Sequence, residues 1–338
     1  MDCYETTYCS NANEFLAFLR LENDHWWSAG SLAPDWVFRG VGDVSFGLLP
    51  TGLRPVDKNS DELKEQERFR LFEAVIATQN VAFCCRSSDT DCRSCGKYNV
   101  HSLWNAFIVE GVVRFLNAAL DFGFPISAWR RGIIEQSNID ADHRWETYDS
   151  EDSQLNPKHF IPEEEWALAQ HHGIPTYLLD WTANPLFGAF FAADSWNEVQ
   201  PKDIAVWAFS ERIWLQALLG SRINKVRPSW PSFGWNGLFK PSRVGNQFMN
   251  SQQGLFTWIF DYFDKDAKCW IGAEKVSGVY STGSEFFQRE FETKFLKKVV
   301  LPAGEVPALR TKLAREGVSR ARLMPTLDNI ALDSRLNW

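Results

Sequence analysis

Apolar residues at three- and four-residue steps mark helices along this chain, and short apolar runs bounded by Gly, Pro or Asp mark strands. Phe15, Leu16, Phe18 and Leu19 predict a short helix over residues 13–21. Trp36-Val37-Phe38 reads as a buried strand ending at Arg39-Gly40, where glycine permits a turn. Residues 61–78 place Leu63, Phe69, Phe72, Val75 and Ile76 on one helical face and Glu62, Glu65 and Glu67 on the other. A second helix is expected over 101–120, with Trp104, Ile108, Val112, Phe115 and Ala119 inward. Later strands are expected at 203–209, 254–260 and 294–302, and helices at 211–219 and 306–316, the last with Leu309 and Leu313 inward.

The stretch from 166 to 193, WALAQHHGIPTYLLDWTANPLFGAFFAA, joins three elements. Gly173 stands where a helix C-cap glycine belongs, Tyr177 to Trp181 is strand-like, and Asn184-Pro185 fits an N-cap followed by the first helical position. His171, His172, Asp180 and Thr182 mark the seams, so groups able to titrate or hydrogen-bond gather between elements. Carboxylates at 163–165 favour the start of the helix that leads into this stretch. Arg39, leaving a strand, is read two ways: a structural ion pair, or an anion contact made by the planar guanidinium fork.

The 338 residues are 45% hydrophobic and 23% charged, enough to build a full core of one large or two ordinary domains. Sixteen Trp and 26 Phe are read first as core and seam fillers. A net charge of −8 argues against a general polyanion coat. Local charge differs: no Asp or Glu occurs from 212 to 260, where Arg212, Arg222, Lys225, Arg227, Lys240 and Arg243 interleave with Trp214, Trp230, Phe233, Trp235 and Phe239. That pattern suits RNA or DNA phosphates and stacked bases, and equally suits docking onto the acidic residues of 121–162, read as a solvated insertion. Cys92-x-x-Cys95, with Cys84, Cys85 and His101 nearby, offers ligands for zinc or plain thiols in a loop. Seven cysteines, no signal-peptide pattern and no apolar run near the ~20 residues that span a bilayer predict a cytoplasmic protein with no membrane partner.

Four blocks in order, Trp36 to Gly40, QHHGIPTYLLDWTANPL followed by AFFAA, Ser251 to Phe256 and Leu323 to Asp328, resemble the FRG domain, a family named for its Phe/Tyr-Arg-Gly motif. The family usually has Arg where this chain has Tyr177. The resemblance divides the chain into an N-terminal helical segment, 1–35, and an FRG domain, 36–335, interrupted by a helical and irregular insertion at about 80–162. The strand ending in Arg39-Gly40 and the later Asp180-Trp181-Thr182 strand running into a helix also look like the first two landmarks of Arg-Ser-Glu ADP-ribosyltransferases. The third landmark has two candidate places, Gln252-Gln253 and Glu290-x-Glu292.

The fold class expected is therefore α+β, a small mixed or antiparallel sheet flanked by helices and ADP-ribosyltransferase-like. By that likeness Arg39, His171, His172, Asp180, Thr182 and Glu292 are the candidate catalytic set, and Arg39, Gly40, Arg54, Trp181 and Gln253 the candidate contacts to NAD as co-substrate. Zinc on Cys84, Cys85, Cys92 and Cys95 is a separate expectation. The function implied is a toxin or anti-phage effector transferring ADP-ribose to a macromolecule, with an antitoxin or regulatory partner. The alternative is a non-enzymatic module that recognises a phosphorylated ligand, nucleic acid or partner protein. No dinucleotide-fold, P-loop, serine-hydrolase or zincin signature is present.

Overall fold

Ile204–Ser210 (β4) is buried at every position, because it has a strand on each side and packed side chains on both faces. Ile204, Val206 and Ala208 enter one core, and Ala205, Trp207 and Phe209 enter another, as strand alternation requires. The computed structural model describes residues 4–27, 30–31, 34–54, 100–124, 163–213, 235–241, 247–259, 263–264, 269–270 and 295–336. Around β4 lie Tyr4–Tyr8 (β1), Trp36–Val41 (β2), Leu178–Thr182 (β3), Trp235–Phe239 (β5), Gly254–Ile259 (β6) and Leu296–Leu301 (β9). They form a seven-stranded sheet in the order β1-β9-β4-β2-β3-β6-β5. β1 runs parallel to β9, while β4 with β9, β2 with β4, β2 with β3 and β5 with β6 are antiparallel. Phe263–Asp264 (β7) and Cys269–Trp270 (β8) make a separate two-stranded pair.

The contacts divide the chain into two units. The first, Met1–Leu49, Leu179–Phe260 and Gly272–Trp338, has its main core between the sheet and the helices Ala12–Leu19 (α1), Pro185–Asp194 (α4) and Val306–Arg315 (α6). The second, Pro50–Leu178 and Asp261–Ile271, contains Val100–Asp121 (α2) packed on Glu163–His171 (α3). Ile108, Val112, Val113 and Leu116 of α2 are buried. Among the described residues the first unit also holds the helices Gln247–Ser251 (α5), Arg320–Leu323 (α7) and Leu327–Leu336 (α8). Among the described residues no helix is long and apolar enough to cross a membrane.

α4 begins where its sequence directs it. Asn184 is the N-cap, its side-chain oxygen accepting from the Leu186 N–H, and Pro185 occupies the first turn, where its missing donor costs nothing. Gly173 ends α3 with φ +80°, the left-handed cap expected of it.

Three expectations are corrected. The strand at Trp36 does not end at Arg39-Gly40; β2 runs on to Val41, all six residues pairing with β4. Gly40 is needed for close approach rather than for a turn: a Cβ there would lie 2.0 Å from the Gly188 carbonyl oxygen and 2.4 Å from the Ala192 nitrogen, both backbone atoms of α4. The sheet is also larger than the small one expected. Tyr4 to Tyr8 lacks a clear apolar alternation, yet pairs in parallel with β9 nearly 300 residues away, and β5 lies within the basic-aromatic stretch read as a binding segment. Pairing partners so distant in sequence leave little local signature. The helix expected over 61–78 lies outside the described residues.

Gly40→Ala is expected to destabilise the protein by about 1–3 kcal/mol or prevent folding, because the methyl meets backbone that cannot step aside alone. Gly304→Ala, where an added Cβ meets nothing within 4 Å, serves as the control. Chemical denaturation compares the two, and equal midpoints would refute the close-packing account.

Candidate functional site

Arg39 stands where the sheet parts. β2 follows β4 over six register positions but meets β3 at a single one, Phe38 opposite Thr182. Had that antiparallel ladder continued, Gly40 would face Asp180. Instead the Arg39 guanidinium reaches across, Nη1 donating to the Asp180 carbonyl at 3.0 Å and to its carboxylate Oδ2 at 3.2 Å. A side chain thus makes the bond that a backbone N–H makes in an unbroken ladder. The Arg39 side chain is 15% exposed and that of Asp180 51%, so the cation is held inside and the anion at the rim. Arg39 Nε is buried without a hydrogen-bond partner. A buried guanidinium donor left unmatched is costly, and such an atom is commonly explained by a ligand or water at the site.

The neighbouring end of β3 is tied to the turn before β6. Thr182 is 3% exposed; its hydroxyl donates to the Gln252 carbonyl at 2.7 Å and accepts from the Asn184 N–H at 3.2 Å. The Ala183 N–H donates to the Gln253 carbonyl at 3.2 Å. Gln253 makes the last of these contacts with φ +50°, a left-handed conformation that costs a non-glycine residue of order 1 kcal/mol and persists only when its surroundings impose it. Trp181, expected among the NAD contacts, is 2% exposed, and its indole N–H donates to the Thr257 hydroxyl at 2.9 Å. Thr257 is a residue the sequence reading missed, since a threonine inside an apolar strand shows nothing of the indole it will meet.

The histidine block belongs to the second unit. His171 closes α3; its ring lies 5.3 Å from that of His172, which stacks on Phe115 at 5.6 Å. The preceding Gln170 has a clear local task. Its Oε1 accepts from the Thr176 hydroxyl at 2.5 Å, and the Leu178 N–H donates to that hydroxyl at 3.0 Å, so Gln170 and Thr176 fix the entry to β3. Tyr177, where the resembling family has Arg, is 2% exposed and packs toward Trp166 with ring centroids 6.1 Å apart. Arg54 is an exposed cap of a short 3-10 turn, Thr51–Leu53, in the same unit.

The structure therefore brings together Arg39, Asp180, Thr182 and the Gln252-Gln253 turn. Glu290, Glu292, Cys84, Cys85, Cys92, Cys95, Arg222, Lys225, Arg227 and Arg243 lie outside the described residues, and the zinc and nucleic-acid expectations lie there with them. Among the described residues no group of three or more His, Cys, Asp or Glu could hold a metal ion. Of the basic residues in the 212–260 stretch, Arg212 and Lys240 are described; Arg212 is 3.7 Å from the Asp35 carboxylate, and Lys240 is exposed at the end of β5.

Residues 126–200 match the FRG domain family, the family that the four sequence blocks resemble. The matched segment contains the block from Gln170 to Ala193 and ends before β4. Neither a curated protein nor a solved structure matches the chain.

Thr182→Val tests the link between β3 and the Gln252-Gln253 turn. It keeps the shape but leaves a buried carbonyl and an N–H without their partner, with an expected loss of about 1–3 kcal/mol in thermal or chemical unfolding. Unchanged stability would mean that the hydroxyl does not hold the turn.

Proposed function

We propose that this FRG-domain protein binds NAD at Arg39 and transfers its ADP-ribose to a macromolecule, acting as a toxin or anti-phage effector. The observation that carries this reading is the buried Arg39 guanidinium, anchored through Nη1 on Asp180 and left with an unmatched Nε. Asp180 fixes the orientation of the fork, so an anion meets a donor edge already positioned, at little further entropic cost. Thr182 and the Gln252-Gln253 turn hold the strand that carries Asp180.

In the proposed reaction the bond between the ribose anomeric carbon and nicotinamide breaks, the electron pair leaves with nicotinamide, and a nucleophile on the target forms the new bond. The departing step makes an oxocarbenium-like centre that a carboxylate stabilises far better than an amide. Arg39 would hold the phosphate and ribose. Glu290 or Glu292 would supply the carboxylate, with Asp180 confined to positioning because its charge is already committed to Arg39. That commitment also favours a second reading: with Asp180 the one carboxylate ion-paired to Arg39 among the described residues, the site suits a binding module for a phosphorylated ligand that performs no chemistry.

Incubation of the purified protein with labelled NAD and cell lysate separates the readings. Transfer is expected to place label on protein or nucleic acid, and Arg39→Lys, which keeps the charge but loses the fork, is expected to weaken the site by about 2 kcal/mol or more while melting remains near wild type. Nicotinamide release without labelled macromolecule would replace transfer by NAD hydrolysis. Arg39-dependent NAD binding with no nicotinamide release would establish the binding module. Full labelling by Arg39→Lys would end the Arg39 assignment.

A further inference from the structure

Five described residues have a left-handed backbone, and four of them are glycine. Gly123, Gly173 and Gly317 each stand two places after a helix, α2, α3 and α6 in turn, where a left-handed residue commonly closes the last turn. Gln253 holds the same place after α5, with φ +50°, and it alone of the five carries a side chain. Its backbone duties need none. The Gln253 N–H donates to the Asn250 carbonyl and its own carbonyl accepts from the Ala183 N–H, each at 3.2 Å. Glycine would make both bonds without the cost of a Cβ in this conformation.

The neighbouring glycine has a packing reason that Gln253 lacks. A Cβ on Gly254 would lie 2.6 Å from the Met249 Cε. Gln253 is half-buried, and among the described residues no hydrogen bond engages its side-chain amide. A strained residue whose side chain does nothing for the fold is characteristic of ligand sites. Its position fits one. Arg39 is tied to Asp180 and Gln253 to Ala183, three residues further along the same strand and its exit, a path of at most about 11 Å. A dinucleotide is longer than that, so one ligand can meet both. The two groups also differ in what they recognise: the guanidinium fork suits an anion, whereas an amide, with two N–H donors and one carbonyl acceptor, suits hydroxyls, carboxamides and ring nitrogens.

We propose that Gln253 is a specificity-determining residue of the Arg39 site, its side-chain amide hydrogen-bonding a nucleoside part of the ligand whose phosphate Arg39 holds. This rests on the nucleotide reading of Arg39 and adds a second contact to it. A bare anion then meets Arg39 alone, and a nucleotide meets both residues.

Calorimetric titration of the full-length protein with NAD and with inorganic pyrophosphate tests the division of labour. Gln253→Ala removes the amide but keeps a Cβ on the left-handed backbone, while Gln253→Gly removes both. Both variants are expected to bind NAD roughly fivefold or more weakly than wild type and to bind pyrophosphate as wild type does. Arg39→Lys is expected to weaken both ligands. Wild-type NAD affinity in Gln253→Ala overturns the assignment, as does a loss confined to Gln253→Gly, which would trace the effect to the backbone of the turn. An equal loss of pyrophosphate binding in Gln253→Ala also overturns it, since the amide would then serve the anion rather than the nucleoside. A wild-type protein that binds neither NAD nor pyrophosphate removes the Arg39 reading itself, and this proposal with it.

Discussion

The contact of β2 with α4 constrains everything around Arg39. At Gly40 the helix backbone comes so near that no side chain fits, and Gly188 answers from the helix, where an added Cβ would sit 3.2 Å from the Phe38 Cβ. Two glycines let strand and helix meet backbone to backbone, and close packing then removes the freedom of both. Because side chains alternate along a strand, seating Phe38 and Gly40 against α4 sends Arg39 to the opposite face. There it meets Asp180 of β3, the strand that leads directly into α4. The helix that forces Arg39 outward is thus continuous in sequence with the strand that receives it.

This explains in physical terms why separated sequence blocks belong together. Arg-Gly on β2 supplies the cation and the bare backbone. Asp180 to Pro185 supplies the acceptor, the Thr182 link and the Asn184 cap, and Ser251 to Gly254 supplies the turn whose carbonyls receive the end of β3. Each block uses another's backbone groups, so changing one disturbs the rest. Within a single block, Gln170 and Thr176 fix Leu178, the first residue of β3.

What could be read from the sequence divides along the same physical line. β4, β9, α4 and α6 were legible because alternation, capping and period are local properties, and Leu309 and Leu313 are buried as the period required. β1 and β5 were not, since their pairing depends on strands far away in the chain. Arg39 with Asp180 was legible as a pair of polar residues leaving apolar runs, but the reason for Gly40 was not. Close approach of two backbones leaves the same glycine in the sequence as a turn does. Trp181, expected among the NAD contacts, has its ring in the core beside Arg39's strand, a placement its polar sequence neighbours do not show.

The unmatched Nε of Arg39 is the atom on which the functional account rests. Its N–H has its own signal in a proton-nitrogen spectrum of arginine side chains, identified by its disappearance in Arg39→Lys. Titration with NAD is predicted to move that signal in a saturable way as a ligand oxygen accepts from it. A signal that stays fixed with NAD in large excess would contradict a nucleotide site at Arg39 and leave the Arg39 to Asp180 contact as an ion pair that only holds the parted strands together.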